Sequence, residues 1–116
     1  MMLSVFWLFF GAAIFGILNA SFVLNKKYPP IPLVVFHGIL AASGLALFAL
    51  RIMTHDTPVL LYIAMIFFLV GALMGFFLLS YHVRNKIHPT PLLLAHVLSV
   101  ITGFCILTQQ IFFLDL

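Results

Sequence analysis

Two of the five histidines in this 116-residue chain lie well inside long apolar stretches. His37 follows Pro30-Ile31-Pro32, and His96 follows Pro89-Thr90-Pro91, at the same distance in each case. An ionisable residue inside an apolar span is costly and is a functional candidate by default. Neutral imidazole is the least costly such group, because it can bind a metal or a hydrogen-bond partner without a buried counter-charge. Two imidazoles at one depth could therefore ligate one metal centre from opposite sides. Alternatively, each could hydrogen-bond a neighbouring helix and serve packing alone.

Equal depth follows from an internal repeat. When the sequence is slid along itself so that His37 falls on His96, Lys27, Pro30, Pro32 and Leu33 fall on Lys86, Pro89, Pro91 and Leu92 without a gap. The register also carries Phe9 onto Phe68, Ala13 onto Ala72, Gly16 onto Gly75, Ser21 onto Ser80, Gly44 onto Gly103 and Asp56 onto Asp115, with Ser43 opposite Thr102. Shared apolar composition does not produce a lysine, two prolines and a histidine at fixed spacing.

The elements that must position the histidines are four apolar stretches, 2–24, 31–50, 58–81 and 91–113, joined by short connections at 25–30, 51–57 and 82–90. About 20 apolar residues cross roughly 30 Å of hydrocarbon. Short connections force consecutive helices to be antiparallel neighbours. The expected fold is all-α: a polytopic membrane protein forming an up-down four-helix transmembrane bundle. It is built from two parallel two-helix repeats, 1–57 and 60–116, which together make one membrane domain. Pro58 after Thr57 predicts a capped start with proline at the first helical position. The first stretch has no basic flank and is too long for a signal-peptide core, so it reads as a retained span.

Composition sets the class. Hydrophobic residues make up 66% of the chain and charged residues 6%, too few to solvate a soluble globule of this size. That excludes a soluble enzyme and a nucleic-acid binder, despite the formal charge of +3. Lys26 and Lys27 lie in the first connection, Arg84 and Lys86 in the third, and Arg51 alone in the second. Basic residues collect on the cytoplasmic side, which predicts both termini outside, in a bacterial inner membrane. There is no glutamate, and Asp56 and Asp115 fall at the outer boundary, which argues against proton-coupled multidrug export. A single cysteine, Cys105, excludes a dithiol centre.

In such a bundle helices two and four are diagonal, so inward-facing His37 and His96 would meet at the centre. That donor set suits one haem iron, which accepts two neutral imidazoles. Gly16 and Gly75 on the intervening helices would give clearance for a flat macrocycle. Histidines on two helices and glycines on the other two resemble the four-helix transmembrane b-type cytochromes. The resemblance covers the helix plan and His37, His96, Gly16 and Gly75. It implies one haem b per chain with His37 and His96 as axial ligands, single-electron transfer rather than stand-alone catalysis, and quinone or another redox protein as partner in the bilayer. His55, His82 and His88 read as solvated residues of the connections, so a second haem pair is not expected. Trp7, Tyr28, Tyr62 and Tyr81 read as interfacial aromatics. The competing expectation is a cofactor-free accessory or scaffold subunit. It would belong to a larger complex or to a homo-oligomer packed through Ala12–Gly16–Ala20 and Gly71–Gly75, because stripes of small residues are often helix-packing seams.

Overall fold

The computed structural model describes residues 1–113. They form four α-helices: α1 (Met2–Leu24), α2 (Ile31–Thr54), α3 (Val59–Val83) and α4 (Thr90–Phe113). Asp115, the repeat partner of Asp56, and the end of the second predicted repeat lie outside the described residues. Each helix is long and apolar enough to cross a membrane. The longest dimension, 44 Å, matches the roughly 40–45 Å of a bilayer with its headgroups.

Proline placement lets the helices run uninterrupted. Pro32 and Pro91 occupy the first turns of α2 and α4, where backbone N–H groups have no intrahelical acceptor to lose. The start of α3 differs from expectation. Pro58 itself is the N-cap, and the Thr57 hydroxyl bonds the His55 carbonyl (2.9 Å) instead of capping the helix. The second connection is also shorter than predicted. α2 continues through Thr54 and takes in Arg51, whose long side chain reaches the Asp56 carbonyl and the Thr57 hydroxyl, both at 3.3 Å. α3 likewise extends to Val83 and places His82 in its last turn.

α1 and α3 end in the same way. Lys26 and Asn85 both have φ of 56°. The following amides, of Lys27 and Lys86, reach back to the Phe22 and Tyr81 carbonyls at 2.9 Å. This six-to-one closure satisfies carbonyls that a helix end would otherwise leave bare.

α1 packs closely on α2, and α3 on α4. The two hairpins meet more loosely, through α1–α4 and α2–α3, which leaves α1/α3 and α2/α4 as diagonals. The dense core lies at one end, away from the lysine-bearing connections. There Met2, Val5, Phe6 and Phe9 of α1 meet Phe48 of α2, Leu61, Ala64 and Phe68 of α3, and Leu107 and Ile111 of α4. Phe9 and Phe68 stack face to face across the α1/α3 diagonal, with ring centres 4.1 Å apart and planes 8° apart. Glycine makes room for these rings. A Cβ on Gly44 would lie 2.9 Å from the Phe9 ring, and one on Gly103 would lie 3.4 Å from Phe68 and 3.1 Å from the Ala64 carbonyl. The small-residue stripes also face inward. Ala12 is buried, Gly16 meets the His37 ring, and Gly71 meets Val100. They are seams within each hairpin and do not form an outer face.

These contacts distinguish two glycines of α2. Gly44→Ala should destabilise the bundle by about 1–3 kcal/mol through overpacking. Gly38→Ala, whose Cβ would have nothing within 4 Å, should be neutral or gain up to about 1 kcal/mol of helix propensity. Thermal unfolding in detergent, followed by circular dichroism, measures the difference.

Candidate functional site

The tightly packed end adjoins the histidine layer. On α2, the buried Gly44 lies seven residues, about two turns, from His37, and Phe9 and Phe68 line the same cavity as the two imidazoles. The structure brings His37 and His96 together across the α2/α4 diagonal, with ring centres 6.3 Å apart and planes inclined at 75°.

Each ring is held by its own hairpin. His37 Nδ1 lies 2.7 Å from the Ala12 carbonyl oxygen, and His96 Nδ1 lies 2.7 Å from the Gly71 carbonyl oxygen. A carbonyl can only accept, so Nδ1–H is the donor and Nε2 of each neutral ring carries the free lone pair. A helical carbonyl already serving its own ladder can accept this second bond through its other lone pair. Ala12 and Gly71 are themselves repeat partners, one turn before Gly16 and Gly75.

Gly16 and Gly75 each adjoin an imidazole of their own hairpin. A Cβ on Gly16 would lie 3.1 Å from His37 Cε1, and a Cβ on Gly75 would lie 3.3 Å from His96 Cε1. Each glycine lets an imidazole lie against the helix that holds it. Gly75 additionally lines the cavity described next.

Around the two rings is a cavity of about 390 Å³, within the roughly 300–1,000 Å³ of small-ligand and cofactor sites. His37 and His96 face into it, with Phe9 and Phe68 among the residues that line it. The remaining wall is almost wholly apolar, including Gly38, Ala41 and Ala42 of α2 and Ala72 and Phe76 of α3. Among the described residues no group of three or more His, Cys, Asp or Glu side chains could hold a metal ion. Two imidazoles alone make a poor site for a bare cation. They suffice for an iron whose other four ligands come from a macrocycle.

A second cluster closes the bundle on the side of the lysine-bearing connections. The rings of Tyr28, His82 and His88 form a triangle with sides of 5.7, 5.9 and 6.1 Å. His88 does not stand in solvent as the sequence predicted. It is only 7% exposed, since Tyr28 from the first connection folds against it. His82 is half-buried, and its Nδ1 is buried without a partner. Sequence reasoning missed this cluster because its members come from different connections. Their nearest signal was the replacement of Val23 and Pro29 in the first half by His82 and His88 in the second.

Burial, reinforced by the nearby His82, pushes the His88 imidazole below its ordinary range. The unfolded chain therefore takes up a proton near pH 6.5 that the folded chain resists, so stability should be flat above that pH and fall below it. In the His88→Asn variant the loss of thermal stability between pH 7.5 and 5.5 should be smaller than in the wild type, as thermal melts at the two pH values will show.

Comparison with known proteins found no matching family model, no matching curated protein and no matching solved structure.

Proposed function

We propose that the chain is a small integral membrane cytochrome of b type, in which His37 and His96 are the axial ligands of one haem b. The observation that carries this reading is the pairing of the two imidazoles. Their ring centres lie 6.3 Å apart, and each has Nδ1 bound to a backbone carbonyl, so Nε2 of each neutral ring is left in the protonation state a metal requires. The cavity that both rings line is apolar and adjoins the aromatic stack. Such a setting suits a macrocycle better than a hydrated ion.

Bound there, the haem would supply a one-electron ferric–ferrous couple. This chain's residues do the rest. His37 and His96 would both ligate the iron and so would disfavour oxygen binding. Ala12 and Gly71 fix ring orientation and raise ligand basicity through the Nδ1 bonds. Phe9 and Phe68 keep water from the side away from the connections. The electron partner would be a membrane quinone or another haem protein.

The architecture proposed with this function is a pair of parallel repeats related by an axis along the membrane normal. The Nδ1–carbonyl bonds, the glycine contacts and the positive-φ helix ends recur at the same offset, and the Phe9–Phe68 stack joins two repeat partners; all support it. The basic connections would face the cytoplasm of a bacterial cell and both termini the outside.

One observation favours a second reading. The imidazole–carbonyl bonds each tie two helices together without any cofactor, as a scaffold or accessory subunit would need. An absorption spectrum of protein purified after expression with ample haem separates the two. The cytochrome reading expects a low-spin b-type spectrum, oxidised and dithionite-reduced, at one haem per chain. It should be lost with similar severity in His37→Ala and His96→Ala. Colourless protein, or haem retained in both variants, would overturn it. For orientation, reporter fusions after residues 28 and 87 should report cytoplasm, and one near residue 55 the opposite side.

A further inference from the structure

The Tyr28–His82–His88 cluster takes no part in the function just described, yet it is the other place where imidazoles meet. It lies on the same side of the bundle as the basic connections, beyond the His37–His96 layer. His82 is seven residues past Gly75 on α3, or about 10 Å at 1.5 Å per residue. The cluster has no open volume between its rings for a flat cofactor: the adjoining recess, lined by Val23, Lys26, Lys27, Tyr28, Ile87 and His88, is too small to admit even a water molecule. A metal cation is disfavoured too. No third donor of the His, Cys, Asp or Glu type joins the pair, and the charged groups of the neighbouring segments are all cationic.

Those groups are Lys26 and Lys27 after α1, and Arg84 and Lys86 after α3. The first turn of α4, residues 90–93, brings no charge. Arg84 is partly engaged, with its guanidinium over the Tyr81 ring at 4.9 Å and bonded to Ser80. No carboxylate lies in either connection to stabilise an imidazolium. The smallest species that a pair of buried imidazoles can still bind is a proton.

We propose that the His82–His88 pair, screened by Tyr28, is a proton-binding site coupled to electron transfer at His37 and His96. This rests on the bis-histidine reading. An electron arriving from a one-electron donor makes the central layer more negative by one charge. Across about 10 Å of partly desolvated protein that change favours a positive charge on the cluster. One proton then passes from water on the side of the connections to a ring nitrogen of the pair, and no other bond forms or breaks. The burial that holds His88 neutral makes its response to the added charge larger than that of a solvated histidine. The unpartnered Nδ1 of His82 offers a second acceptor for the same proton. When the electron leaves, the proton returns to water.

The test is the midpoint potential of the haem-loaded protein in liposomes between pH 5 and 9, by optical redox titration. The potential should fall as pH rises, with a total change of about 59 mV for each tenfold gain in the cluster's proton affinity on reduction. His88→Asn and His82→Asn should each flatten the curve while keeping the low-spin spectrum, and the milder His88→Gln serves if the asparagine variant misfolds. A pH-independent potential in the wild type overturns the proposal without touching the bis-histidine reading. So does a pH dependence that persists unchanged in the variants, because the titrating group then lies elsewhere. A wild-type chain that binds no haem when it is supplied overturns the bis-histidine reading and this coupling with it.

Discussion

The bond from an imidazole Nδ1–H to a carbonyl of the preceding helix is the interaction on which the rest of the molecule depends. In an apolar bundle, a histidine with no partner leaves two nitrogens to be desolvated at a cost of several kcal/mol. Binding Nδ1 to Ala12 or Gly71 removes half of that cost and fixes the ring on one side of its helix. It also dictates local sequence. The helix that offers the carbonyl must come close enough for a 2.7 Å contact, which requires glycine at 16 and 75 where the ring lies flat on the backbone. The bond leaves Nε2 of each ring free, and both rings line one cavity.

Each hairpin satisfies one histidine by itself, so the hairpins need not pack tightly at that level. They are locked to one another further down, where Phe9, Phe48 and Phe68 interdigitate and Phe6 stacks on Phe104 at 5.2 Å. The result is a layered bundle: a solid aromatic end, a hollow histidine layer, and a cap of Tyr28, His82 and His88. The cavity of about 390 Å³ opens to the outside of the bundle, past exposed residues such as Gly38, Ala42 and Phe76.

Much of this was legible in the sequence. Spans and connections follow from apolar run length. The convergence of His37 and His96 was expected from the sequence repeat, since equivalent positions in two parallel halves would share depth and inward direction. What the sequence hid has physical reasons. The acceptors of the histidine bonds are backbone carbonyls, which any residue at 12 or 71 would carry. The glycines were expected to clear a cofactor, but they clear the imidazoles first, and only distances reveal that. Arg51 looked like a connection residue because it is charged. Its long side chain lets the helix continue beneath it while the guanidinium reaches polar groups at the end. His88 looked solvated because burial in a connection depends on Tyr28, sixty residues earlier in the chain.

Aligned on their histidines, the two halves of the sequence share His37 and His96, Gly16 and Gly75, and Phe9 and Phe68. Elsewhere, Gly38, Ala41 and Ala42 of α2 stand opposite Val97, Val100 and Ile101 of α4. The smaller side chains fall on α2, which meets α3 only loosely, so all three of these α2 residues line the cavity with little bulk.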